Sequence, residues 1–283
     1  MRPTEPRVLP SVLLVLAAIG CGSASPEPRP PIADPEPVTV TAAPAPHRTH
    51  WGYAGRSGPS RWGHLERDWA VCGEGHTQSP IDLDAATVTE LPAIALEYRS
   101  SSLRIVRQEH VADVVDTGHS IQVNTPDGGS MHVGDATYQL LQFHVHTPSE
   151  HTLHGIRFPM ELHAVHRSAD GRLAVLAVFV REGRPNEGIA RITRHLPTST
   201  GTIYHYENVR VDGSYLLPVD RTTYRYEGSL TKPPCTEGVQ WIVFATPIEA
   251  AAEQIAAFRA IIGENARPTQ ARGDRGLRTD HAD

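Results

Sequence analysis

The run Leu173-Ala-Val-Leu-Ala-Val-Phe-Val180 is apolar at every position. A strand with two apolar faces has to be covered on both, so this segment predicts a central strand in a sheet buried between layers. Shorter β-like runs surround it at Ser120–Asn124, Tyr138–His146, Met160–His166 and Gln240–Phe244, separated by Gly, Pro, Asn and Asp. Ala169-Asp-Gly171 supplies turn residues ahead of the central run, which predicts an antiparallel hairpin with Met160–His166. No fixed period recurs, which excludes solenoids and propellers. One helix is marked by Thr246-Pro-Ile-Glu249, read as a capping box with proline at the first helical position. Ala251, Ile255, Phe258 and Ile262 follow on one face, and Gly263 stops it. A second, shorter helix is expected over Asn186–His195. The pattern predicts a single β-rich domain with a few peripheral helices.

The N-terminus reads as an export signal. Arg2 and Arg7 precede an apolar run from Val8 to Gly20, and small residues surround Cys21. The run is shorter than the ~20 residues of a membrane span. Ala18-Ile-Gly-Cys21 resembles a bacterial lipoprotein signal, with Cys21 as the lipidated first residue of the mature chain; an ordinary signal peptide cut nearby is the alternative. Residues 1–21 are thus read as a signal. Residues 22–49 hold eight prolines and almost no large apolar side chain, the composition of an extended linker. The folded domain is expected over 50–272, with a loose polar tail over 273–283. With Cys21 set aside, Cys72 and Cys235 remain as a pair able to close a long loop in an oxidising compartment; two buried free thiols are the alternative. The 283 residues carry a net charge of −6, without the basic excess that phosphate neutralisation requires, so no nucleic-acid partner is expected.

Sixteen histidines are the other compositional signal, and their spacing decides their meaning. Side chains alternate across a strand, so Gln142, His144 and His146 share one face while Phe143 and Val145 point the other way. Glu161, His163 and Val165 share a face in the same manner. If the two strands are neighbours, three imidazoles converge and leave a tetrahedral Zn²⁺ one open position, as catalytic rather than structural sites do. Gln142 and Glu161 then lie where acceptors fix the orientation of imidazole ligands.

Beyond these residues, Gln142-Phe-His-Val-His-Thr-Pro-Ser-Glu-His151, Glu161-Leu-His-Ala-Val-His166 and Ser229-Leu-Thr-Lys-Pro-Pro-Cys-Thr-Glu237 resemble the α-class carbonic anhydrases. So do Trp51-Gly-Tyr53, Gly58-Pro59 with Trp62, Gln78-Ser-Pro-Ile-Asp82, Gly118-His119 and Glu264-Asn-Ala-Arg-Pro268. The matches follow the family's order from about residue 50 to 272. The resemblance implies a β-rich α+β domain with a central, mostly antiparallel twisted sheet. It also implies zinc-dependent, reversible hydration of CO₂ to bicarbonate and a proton. His144, His146 and His163 would hold zinc, with Asn265 supporting one of these rings through its backbone carbonyl. Thr231 would accept a hydrogen bond from zinc-bound hydroxide and pass its own proton to Glu150. Val165, Val175, Leu230, Val239 and Trp241 would form the apolar wall for CO₂, and His119 would shuttle the proton to solvent. Tyr53 matches a member of the proton network, whereas Thr117 and Gln122 stand where asparagines are common. Lys232 stands where the family usually has an uncharged side chain. Anions and sulfonamides are the expected inhibitors. A carbonic-anhydrase-like binding domain without catalysis is the alternative, against which all three histidines, Thr231 and Glu150 are retained. The sequence leaves the oligomeric state open, a dimer included.

Overall fold

The computed structural model describes residues 37–41, 49–111, 114–125, 128–200 and 202–280. Its strands run in chain order as β1 (Val38–Thr41), β2 (Asp82–Leu83), β3 (Thr87–Val88), β4 (Ile94–Tyr98), β5 (Ser101–Val111), β6 (Val114–Asn124), β7 (Gly129–Val133) and β8 (Ala136–His146). They continue as β9 (Thr152–Leu153), β10 (Ile156–Arg157), β11 (Met160–Ser168), β12 (Leu173–Glu182), β13 (Thr202–Val211), β14 (Thr223–Ser229), β15 (Glu237–Phe244), β16 (Ile248–Ala250) and β17 (Arg278–Thr279). Among the described residues four short α-helices accompany them: α1 (Trp62–Leu65), α2 (Val71–Glu74), α3 (Glu187–Thr193) and α4 (Ala252–Ile262).

The main sheet has the order β1-β13-β5-β6-β8-β11-β12-β15-β14-β17-β3. Its pairings are antiparallel except for β12 with β15, β12 with β16, and β17 with β3. The all-apolar run lies in β12 and is covered on both faces. Leu176, Val178 and Val180 join a core with Ile189 and Ile192 of α3 and Ile255, Phe258 and Ile262 of α4. Val175, Ala177 and Phe179 face the other way, into a core with Tyr226, Val239 and Trp241. The hairpin of β11 and β12 turns at Gly171, whose φ of 90° favours glycine.

Three expectations change. The helix read from Thr246 begins at Ala252, because Ile248–Ala250 pairs in parallel with Val180–Glu182 and Glu249 is taken by Arg181 and Arg184. The capping residue is Gln254, which accepts from the Ala251 amide at 2.9 Å and also bonds the backbone of Asn186. The segment read as a loose tail from 273 is built into the sheet up to Thr279. Arg278–Thr279 pairs with both β14 and β3, and Leu277 and Thr279 are buried. The segment read as a linker over 22–49 contains β1, whose backbone pairs with β13. Cys21 and the export signal lie outside the described residues.

His166, on the side of β11 away from His163, is fully buried and its Nε2 lies 2.8 Å from the Tyr98 hydroxyl. Burial pulls its pKa down to about 4. The unfolded chain takes up a proton near pH ~6.5, so this group's stabilisation is present above that pH and is lost as pH falls towards its folded pKa. Urea unfolding of the chelated protein should lose about 3 kcal/mol from this source on acidification. A His166→Gln variant should show a flatter pH slope; an identical slope would contradict the assignment.

Candidate metal centre

In the register of β8 against β11, His163 lies opposite His144 and Glu161 opposite His146. The three imidazoles are thereby clustered, His144 edge to face with His146 and His163 at centroid distances of 5.0 and 5.3 Å, and His146 tilted against His163 at 4.6 Å, and all are buried. One nitrogen of each ring is committed to an acceptor. Nδ1 of His144 lies 3.0 Å from Gln142 Oε1, Nδ1 of His146 lies 2.8 Å from the Asn265 carbonyl, and Nε2 of His163 lies 2.9 Å from Glu161 Oε1. These contacts fix the tautomers, and they leave Nε2 of His144, Nε2 of His146 and Nδ1 of His163 as the nitrogens free to ligate. One ligand atom from each lies within 4.8 Å of the others, and His146 Nε2 is buried without a hydrogen-bond partner. Burial holds His144 and His146 well below the usual imidazole range, helped at His144 by the charge of Lys232 and at His146 by its neighbour His163. Convergent, oriented imidazoles are the donor set that Zn²⁺ takes in three-ligand sites.

Two carboxylates serve this centre differently. Glu161 accepts from the Glu150 and His151 amides at 2.7 and 2.9 Å and lies 2.7 Å from His151 Nδ1, besides its bond to His163. Burial opposes its charge, yet His151 and His163 keep it well below the usual carboxylate range. Glu150 is also fully buried, and desolvation pushes it up to about 7 against the pull of His163, the Thr231 hydroxyl and the Arg267 amide. Its Oε2 lies 3.5 Å from His146 Nε2, while Oε1 accepts from Arg267 N–H at 2.9 Å.

Thr231 is presented by the loop after β14, which closes on itself through Leu230 N–H to Thr236 O and Cys235 N–H to Lys232 O, both 2.9 Å. Val165, Val175, Leu230, Val239 and Trp241 belong to one apolar cluster on the histidine side of the sheet. Val165 sits opposite Gln142 and Val175 in register, and the Trp241 ring is 4.9 Å from that of His163. Gln122 is buried directly across β6 from His144 and bonds Asn124 at 2.6 Å. Tyr53 belongs to a group of aromatic rings, with edge contacts of 5.6 Å to both Trp51 and Trp62. Thr117 and His119 fall on β6, and their side chains lie outside the described residues.

Sequence reasoning assigned no role to His151, Tyr226 or Arg267. His151 Nε2 lies 2.7 Å from the Tyr226 hydroxyl, which donates to Ser79 Oγ at 2.9 Å, so a buried polar chain runs from His163 to the loop before β2. Arg267 is 1% exposed and donates to Gln78 Oε1, Ser79 O and Cys72 O. For His151 and Arg267 the available signal was their place inside the quoted motifs; Tyr226 lies in none of them. Cys72 and Cys235 form a disulfide across 163 residues. It ties the Thr231 loop to α2, and chain entropy for such a span is worth about 5 kcal/mol. Reduction should lower the urea midpoint and loosen the Thr231 loop together; a midpoint insensitive to reductant would contradict this.

The fold and these contacts define a β-sheet protein with three buried, convergent histidines able to hold a metal ion. Its residues 57–280 match the family model described as eukaryotic-type carbonic anhydrase. A carbonic anhydrase of Nostoc sp. is 40% identical over 228 residues, covering 80% of this chain and 84% of the relative. One of Neisseria gonorrhoeae is 41% identical over 224 residues, covering 78% and 84%. The solved α-carbonic anhydrase of Thermovibrio ammonificans, in complex with sulfanilamide, superposes with a TM-score of 0.76 at 38% identity over 82% of this chain and all of that one. The chain belongs to the eukaryotic-type, or α, carbonic anhydrase family.

Proposed function

We propose that this chain holds Zn²⁺ on His144, His146 and His163 and interconverts CO₂ with bicarbonate and a proton. The observation that carries the reading is three buried imidazoles with their free nitrogens turned to one point beside an apolar wall. Zinc, when bound, supplies a Lewis acid that lowers the pKa of water to about 7, for which carbonic anhydrase is itself the standard worked case. Gln142, the Asn265 carbonyl and Glu161 hold the rings in their ligating tautomers. The Thr231 hydroxyl commits its hydrogen to Glu150, which leaves only lone pairs to face the site. It therefore accepts a hydrogen bond from the attacking oxygen and orients it. Val165, Val175, Leu230, Val239 and Trp241 offer an uncharged surface to an uncharged substrate.

The proton leaves through His119, with Tyr53, Thr117 and Gln122 along the water path. An imidazole titrating near neutrality suits the transfer. A His119→Ala variant should turn over about tenfold more slowly or worse in weak buffer, and imidazole buffer should restore part of the rate. Unchanged turnover would remove His119 from the path. We further propose export by the N-terminal signal, anchoring through lipidated Cys21 in the periplasm or at the cell surface, and inhibition by anions and sulfonamides. The reading is tested by stopped-flow CO₂ hydration with zinc present, with zinc chelated, and with sulfanilamide. Rapid hydration that both treatments abolish is expected; hydration no faster than buffer, with zinc bound, would leave the binding-domain alternative.

A further inference from the structure

We infer that β1 is an intramolecular cover: Val38–Thr41 occupies the outer edge of β13, which is a strand-addition site for a second copy of this chain once β1 leaves. The inference stands apart from the three histidines and does not depend on the chemistry proposed for them.

Among the described residues the main sheet ends at β1 on one side and at β3 on the other. An edge strand presents a row of N–H and C=O groups with which another chain can pair, so its length, regularity and charge decide whether copies associate there. β3 is two residues long and offers little to pair with. β13 is ten residues long, and its two halves differ. The second half is protected by its own structure. Its register against β5 shifts between Tyr206 and Arg210, and Glu207, Asn208 and Arg210 are exposed, which combines a bulge with both signs of charge. The first half, Thr202-Ile-Tyr-His-Tyr206, has neither device. It pairs regularly with β5 from Ile203 to Tyr206, is built of β-branched, aromatic and imidazole side chains, and contains no proline, acid, lysine or arginine. These are the marks of a segment that pairs readily with a copy of itself.

β1 covers that half and no more, running antiparallel from Val38 against His205 to Thr41 against Thr202. Its sequence, Val-Thr-Val-Thr, is β-branched throughout and favours the extended form. The new outer edge is four residues long. Pro35 and Pro37 precede it and Pro44 and Pro46 follow, so the strand has little room to lengthen. β1 therefore replaces a regular, proline-free edge by a short one bounded by prolines. It lies ahead of residues 57–280, the part of the chain that matches the family model. The partner that the uncovered edge selects is another β13, because antiparallel pairing of the same segment about a two-fold axis is self-complementary.

The test compares the full chain with its Thr39→Pro/Val40→Pro variant. Neighbouring residues of an antiparallel strand turn their N–H groups to opposite sides, so one of the two prolines removes a donor to β13 whichever way β1 faces. Hydrogen exchange of residues 202–206 and sedimentation velocity are followed from about 1 to 100 μM, a range in which uncovered edges associate. The wild type should stay protected and monomeric throughout. In the variant, exchange should rise about tenfold or more at the low end, and dimers should form at the high end with protection regained. Adding His205→Lys, a charge on the uncovered edge, should abolish the dimer and leave exchange fast. A Val38→Gly/Val40→Gly chain keeps every donor and should show the same trend more weakly, which covers the case in which the prolines disturb folding. Wild-type exchange in both β1 variants would overturn the pairing of β1 with β13 and the inference with it. Fast exchange without dimers, or dimers indifferent to His205→Lys, would overturn the strand-addition site. A wild type that already dimerises through residues 202–206 would overturn the role of β1 as their cover.

Discussion

A His146→Ala variant is expected to bind zinc about a thousandfold more weakly than the wild type and to lose hydration activity at ordinary metal concentrations. Apparent zinc-binding free energies run to about 10–16 kcal/mol for a full ligand set, so one imidazole of three represents roughly 4 kcal/mol. The loss falls on metal rather than on fold. Asn265, which positions the His146 ring through its carbonyl, is held independently, because its side chain accepts from Thr147 N–H at 2.8 Å and donates to the Val145 carbonyl at 3.0 Å. Competition with a chromophoric chelator measures the affinity, and urea unfolding of the chelated proteins separates it from stability. Undiminished zinc affinity would mean that the metal sits elsewhere.

Glu161→Ala should be the most destabilising single change near the site. It removes the acceptor of four donors at once, the amides of Glu150 and His151 and the rings of His151 and His163, all buried. Breaking one side of such a buried network costs about 3–5 kcal/mol. Zinc affinity should fall by a further 10- to 100-fold through the loosened His163 ring, roughly the cost of losing a ligand's supporting partner. Glu161→Gln keeps the shape but not the charge and should fall between the two. The sign with pH is definite. A carboxylate held below its unfolded value stabilises above pH ~4.5, and its contribution is lost as pH falls further. The urea midpoint of the wild type should therefore drop below that pH and that of Glu161→Ala should not follow it. A variant as stable as the wild type would show that other groups satisfy the four donors.

Much of the site was legible because strand periodicity is short. Alternation alone groups Gln142 with His144 and His146, and Glu161 with His163 and Val165. What alternation cannot supply is lateral register, on which the convergence of His163 with His144 depends; the antiparallel pairing of β8 with β11 supplies it in three dimensions. Long-range groups were the least legible. Arg267 and Cys72 are brought together with Gln78 across almost the whole domain, and no local pattern announces a buried arginine. The start of α4 misled for a related reason. Thr246-Pro-Ile-Glu249 carries every local mark of a helix start, but β12 offers Ile248–Ala250 a strand partner and two arginines claim Glu249. Tertiary pairing overrides local capping there, as it does at Arg278–Thr279, whose polar sequence resembles a free tail.

The central claim is that one zinc on these three histidines supports the hydration of CO₂. Its most direct test strips the purified protein of metal and titrates zinc back while following CO₂ hydration by stopped flow. Activity should rise linearly and break at one equivalent per chain, and the same titration of His146→Ala should recover none. Activity that survives stripping, or that returns equally in His146→Ala, would contradict it.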